Sequence, residues 1–105
     1  MKRPVYLAGS IAKDPNYRVK FVRAEAALRK KGYNVLNPAL LPEGLTRAEY
    51  MRICISMIDV AAAVFALPDA GESAGAQVEL AYCRYIGKPV VELEEIGRAS
   101  CRERV

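Results

Sequence analysis

The chain of 105 residues is 52% apolar and 27% charged, with a formal net charge of +4, three cysteines and no histidine. That length and balance describe one ordinary globular domain with a single core, and no apolar run approaches the roughly 20 residues of a membrane span. The absence of histidine removes the commonest zinc ligand partner and the commonest general base, so acid–base chemistry falls to carboxylates, tyrosine or lysine.

Cys54, Cys83 and Cys101 have no CxxC spacing. Reduced thiols are expected, with Cys54 and Cys83 as small core residues. The N-terminus leads directly into a strand-like run, so a cytoplasmic protein is expected, and neither a metal nor a cofactor is implied. The basic residues are dispersed: Lys20, Arg23, Lys30 and Lys31 fall along the polar side of one amphipathic helix with no interleaved aromatics. A solvated helix face accounts for them, which argues against a nucleic-acid partner. A modest positive field still favours a small anionic ligand.

In chain order, Pro4 to Ala8 is a short β-rich apolar run ending at Gly9-Ser10, which reads as a buried strand delivering a loop. Asp14-Pro15-Asn16 is turn chemistry and a helix start, with Pro15 suited to the first turn. Tyr17, Phe21, Ala24 and Leu28 recur at helical spacing, and Lys30-Lys31-Gly32 stops the helix. Tyr33 to Leu36 reads as a second strand closed by Asn37-Pro38, and Leu40 to Leu45 as a loop. Thr46 with Glu49 fits a capping box opening a second helix rich in apolar residues. Ala61 to Leu67 is a third, buried strand. A third helix capped near Ser73 runs to about Ile86, and Pro89 to Leu93 is a fourth strand. This alternation predicts an α/β fold: a flavodoxin- or Rossmann-like three-layer sandwich with a parallel sheet of about four strands in the order 2-1-3-4.

In such sheets ligands sit beyond the carboxyl ends of the strands. The loops there begin at Gly9-Ser10-Ile11, Asn37-Pro38 and Pro68 to Ser73, and the stretch from Ser73 to Glu79 opens the third helix. A helix N-terminus offers unpaired N–H groups and a positive dipole end, so Ser73 and Gly75 are candidates for holding an anionic group. Glu79, read as a first-turn carboxylate kept ionised by that dipole, is a candidate nucleophile. The plain alternative is an N-cap and a carboxylate serving only the helix.

With Tyr6-Leu7-Ala8-Gly9-Ser10-Ile11 ahead of Asn37-Pro38 and Ser73-x-Gly75-x-x-x-Glu79, the chain resembles the nucleoside 2-deoxyribosyltransferase superfamily over about residues 4 to 93. Its nearest branch looks like small bacterial and phage proteins labelled as a domain of unknown function. The resemblance implies an enzyme acting on the N-glycosidic bond of a nucleoside or its 5′-monophosphate, by transfer or hydrolysis. It implies Glu79 as nucleophile, Tyr6 orienting it, and phosphate or sugar contacts from Gly9, Ser10, Ile11, Ser73 and Gly75. A homodimer is expected because a short chain with an open sheet must cover its apolar helix faces. Asn37 is a further candidate for substrate contact, or simply opens a turn before Pro38. Asp59, the acid nearest the third strand, is a candidate for contact with base or sugar, or an ordinary helix-end carboxylate. Relatives often carry aspartates at the positions of Cys54 and Ala62, where this chain has none. The alternative is therefore a catalytically idle nucleotide-binding or sensing module on the same fold.

The domain is expected over residues 1–94. Residues 95–105 show no periodicity, and Ile96 to Val105 can be encoded by ATC GGA AGA GCG TCG TGT AGG GAA AGA GTG, which looks like a sequencing adapter read in frame. A non-native tail is expected there. Leaving out the three arginines and one glutamate of residues 96–105 lowers the net charge from +4 to about +2 over residues 1–95.

Overall fold

The computed structural model describes residues 3–12, 14–94 and 101–104. Four strands, β1 (Val5–Ala8), β2 (Val35–Leu36), β3 (Ala63–Ala66) and β4 (Val90–Leu93), form a parallel sheet in the order β2-β1-β3-β4. Val5 is in register with Val35 on one side and Ala63 on the other, and Val64 with Val90. The central strand β1 is buried at all four positions, as expected of a parallel strand covered on both faces.

The two faces have separate cores. Helix α1 (Tyr17–Lys30) lays Phe21, Ala24 and Leu28 against Val5, Leu7, Phe65 and Leu67. Helices α2 (Arg47–Val60) and α3 (Ala74–Ile86) cover the opposite face, where Cys54, Ile58 and Cys83 meet Tyr6, Ala8 and Val64. Alternation along β1 therefore sends Tyr6 and Ala8 to the α2/α3 side and Val5 and Leu7 to the α1 side. Burying a side chain such as Phe21 or Leu28 contributes roughly 1.5–3 kcal/mol. Cys54 and Cys83 are buried free thiols, filling space as small apolar residues.

Local chemistry sets the helix ends. In the capping box of α2, Thr46 Oγ1 accepts from the Glu49 amide at 3.1 Å, and Glu49 Oε1 accepts from the Thr46 amide at 2.9 Å. Gly87 closes α3 at φ 75°, a left-handed position that glycine takes without a steric penalty. The first helix begins at Tyr17, so Pro15 lies in the preceding turn and not in the helix. Two 3₁₀ turns, Pro38–Leu40 and Ala70–Glu72, occupy stretches that read as plain loop in the sequence.

One strand was absent from the sequence expectations. Cys101–Arg104 forms β5, antiparallel to β4, with Val90 opposite Arg104 and Leu93 opposite Cys101. Pairing to a free sheet edge uses backbone N–H and C=O groups and needs no apolar alternation, which is why the pattern did not announce it. Residues 95–100 and 105 of the expected tail lie outside the described residues.

Candidate active site

The carboxyl ends of β1 and β3 and the first turns of α2 and α3 enclose a crevice of about 450 Å³. Gly9, Ile11 and Ala12 form one wall, Ser73, Gly75 and Val78 another, and Leu45, Thr46, Arg47, Tyr50 and Met51 a third, with Glu79 among the lining residues. Gly9 packs too closely on its neighbours to carry a side chain: a Cβ there would stand 2.8 Å from Leu67 Cδ1 and 3.1 Å from Phe21 Cζ. Ser73 Oγ caps α3 by accepting from the Ala76 amide at 3.3 Å. Gly75 has room for a methyl group, with Met51 Cε at 3.8 Å from a Cβ built there.

Helix α3 starts at Ala74, with no acid in its first turn. Glu79 therefore lies one turn further along than expected, on the buried face, and is only 7% exposed. The Tyr6 hydroxyl donates to Glu79 Oε2 at 3.1 Å. The Cys54 thiol is the third group in this cluster and interacts with both. Burial pushes the Glu79 carboxyl up, and even against the opposing hydrogen bonds with Tyr6 and Cys54 it stands at about 7. The expected dipole-stabilised, fully ionised carboxylate is thus corrected to one poised near neutrality, because removal from water outweighs the helix end. Burial and the neighbouring carboxylate hold the Tyr6 hydroxyl protonated, far above its ordinary range, and burial pushes the Cys54 thiol up to about 12. Tyr6 is consequently a permanent donor to Glu79.

The other sequence-derived candidates divide. Gly9, Ile11, Ser73 and Gly75 line the crevice with Glu79. Ser10 does not: it is buried, its amide donates to Asp69 Oδ1 at 3.1 Å, and its carbonyl accepts from Lys20 Nζ at 2.8 Å. Asn37 is spent on the fold, since Oδ1 accepts from the Ala39 amide and Nδ2 donates to Glu25, both at 2.9 Å. Asp59 sits at the C-terminal end of α2, which leads into the amino end of β3, away from the crevice. It is exposed and accepts from the Tyr82 hydroxyl at 2.5 Å. The position of Ala62 lies at that same far end, its amide bonded to the Pro4 carbonyl, so an acid missing there leaves the crevice unaltered. Cys54, by contrast, is beside Glu79.

Three residues were missed. Tyr50 lines the crevice while its hydroxyl donates to the Pro38 carbonyl at 2.6 Å, and Arg47 lines it from the start of α2. Lys20, expected on a solvated face, is 6% exposed. Its ammonium meets Asp14 at 2.8 Å and Asp69 as well as the Ser10 carbonyl. Burial opposes the charge, but the hydrogen bonds to Asp14 and Asp69 hold its pKa above the ordinary lysine value.

The parallel sheet order and the helices on both faces define an α/β protein of 2-deoxyribosyltransferase-like fold. The structure is similar to that of a 2-deoxyribosyltransferase from the psychrotolerant bacterium Bacillus psychrosaccharolyticus, with a TM-score of 0.67 and 24% identity, over 85% of this chain and 70% of that chain. Residues 3–92 match DUF4406, a domain of unknown function, and the chain belongs to that family. No curated protein matches it. Among the described residues no helix is long and apolar enough to cross a membrane.

Proposed function

We propose that the protein acts on the N-glycosidic bond of a nucleoside or nucleoside 5′-monophosphate, with Glu79 as the nucleophile. The observation that carries this is a buried carboxylate on an open crevice, hydrogen-bonded by a tyrosine that cannot ionise and titrating near neutrality. In its ionised form Glu79 attacks the anomeric carbon as the bond to the base nitrogen breaks. The electron pair leaves with the base, which takes up a proton, and the oxocarbenium-like state collapses to a glycosyl ester on Glu79. A second base then takes the sugar in transfer, or water does in hydrolysis. The fold of the similar 2-deoxyribosyltransferase supports the same reading.

The anionic end of the substrate is assigned to Ser73, Gly75 and the first turn of α3, with the Arg47 guanidinium on the opposite rim. The base is assigned to the apolar side formed by Ile11, Tyr50 and Met51. A homodimer belongs to the same proposal, supported by Val78 and Tyr85, which stand exposed two turns apart on α3.

The alternative is an idle nucleotide-binding module, favoured by one observation: among the described residues, Glu79 is the sole acid lining the crevice, so no second carboxyl there protonates the leaving base. Incubation with a panel of nucleosides and monophosphates, with and without a free acceptor base, separates the two. Released or exchanged base supports the enzyme; tight nucleotide binding with no base formed over long incubation supports the module.

A further inference from the structure

Lys20 joins two segments that are far apart in sequence but adjacent at the crevice. Its ammonium donates to the Ser10 carbonyl at 2.8 Å, pairs with Asp14 at 2.8 Å, and pairs with Asp69. Asp69 closes the circuit by accepting from the Ser10 amide at 3.1 Å. Ser10 and Asp14 belong to the loop after β1, whose Gly9, Ile11 and Ala12 form one wall of the crevice. Asp69 belongs to the loop after β3, which leads through the Ala70–Glu72 turn to Ser73 and Gly75 on another wall.

None of the four residues lines the crevice, so the cluster acts on a ligand there by fixing the walls; Lys20 and Asp14 border a separate hollow with Asn16, Val19 and Arg23. We infer that Lys20 is a positioning residue, an internal ionic clamp that holds the β1 and β3 loops at the separation a ligand requires. A lysine suits the place because a compact ammonium offers three donors to three acceptors arranged around it. The ammonium and Asp69 are largely withdrawn from water, with side chains 5% and 18% exposed, so salt screens the pair little. Glu79 and Tyr6 are held separately, by α3 and β1, and do not touch the clamp.

Hydrogen exchange on the unliganded protein tests the clamp directly and does not depend on the proposed reaction. In Lys20→Met and in Asp69→Ala, amide exchange in residues 9–12 and 67–75 rises about tenfold, while β1 and α2 keep their protection. The double variant rises by less than the two single effects combined, because the Lys20–Asp69 pair is lost in both. If Lys20→Met does not fold, Lys20→Arg keeps the charge without the three-way fit and shows the same local pattern. Exchange that is unchanged, confined to α1, or raised throughout the chain overturns the inference.

The kinetic arm rests on the proposed function. With a cleavable nucleoside monophosphate, Lys20→Arg raises KM about tenfold and leaves kcat within about threefold. A fall in kcat at constant KM overturns the positioning role. Failure of the wild-type protein to release base from any substrate counts against the proposed reaction and leaves the exchange result to decide the clamp.

Discussion

Substituting Glu79→Gln tests the electrostatics of the candidate site without any substrate. The native carboxyl titrates at about 7 against an ordinary value of 4.5, chiefly because burial disfavours its charge. Between these two values the folded chain holds a proton that the unfolded chain has released. Stability from this group is therefore complete below about pH 4.5 and declines as pH rises to about 7, after which it is constant. The full shift corresponds to about 3 kcal/mol, most of it lost between pH 5 and pH 8. Glutamine keeps the shape and carries no charge, so the variant loses this term. Urea unfolding of both proteins at pH 5 and pH 8 reads the difference: relative to wild type, Glu79→Gln gains on the order of 2–3 kcal/mol on going to pH 8. Groups away from Glu79 contribute equally to both proteins and cancel, and Tyr6 and Cys54, raised chiefly by burial, stay protonated across this range. Parallel pH dependences would refute the claim that burial dominates this carboxylate.

Tyr6→Phe removes the hydroxyl that donates to Glu79 at 3.1 Å, a contact that lowers the Glu79 pKa, so the acidic limb of a pH–rate profile for base release moves upward. Gly75→Ala meets only ordinary contacts at 3.8 and 3.9 Å, so the midpoint of urea unfolding holds or rises slightly, while the extra methyl in the crevice wall weakens nucleotide binding in calorimetry. Gly9→Ala forces a Cβ within 2.8 Å of Leu67 and destabilises by about 1–3 kcal/mol in the same unfolding assay.

The layer order and most of the crevice were legible because they follow from periodicity. Val5 to Ala8 and Ala63 to Ala66 are unbroken apolar runs, and the Thr46–Glu49 box marks a helix start by a local signature. The state of Glu79 was not legible, since it depends on where a helix begins to within a turn and on how much water two packed helices exclude. Lys20 carried a signal that went unread: it lies three residues after Tyr17 and four before Ala24, inside the apolar stripe of α1, where a lysine requires partners. Its partners Asp14 and Asp69 come from two loops, and only the three-dimensional structure joins them. Asn37 and Asp59 attracted functional readings through residue type alone, and the structure commits them to Ala39 with Glu25 and to Tyr82.

The central claim is that Glu79 is the nucleophile on an anomeric carbon. Wild type, Glu79→Gln and Glu79→Ala, each incubated with nucleosides and their 5′-monophosphates, are compared for free base formed and for nucleotide bound. The account predicts base release or exchange by wild type alone, with nucleotide binding kept in Glu79→Gln. Full base release by both variants would contradict it.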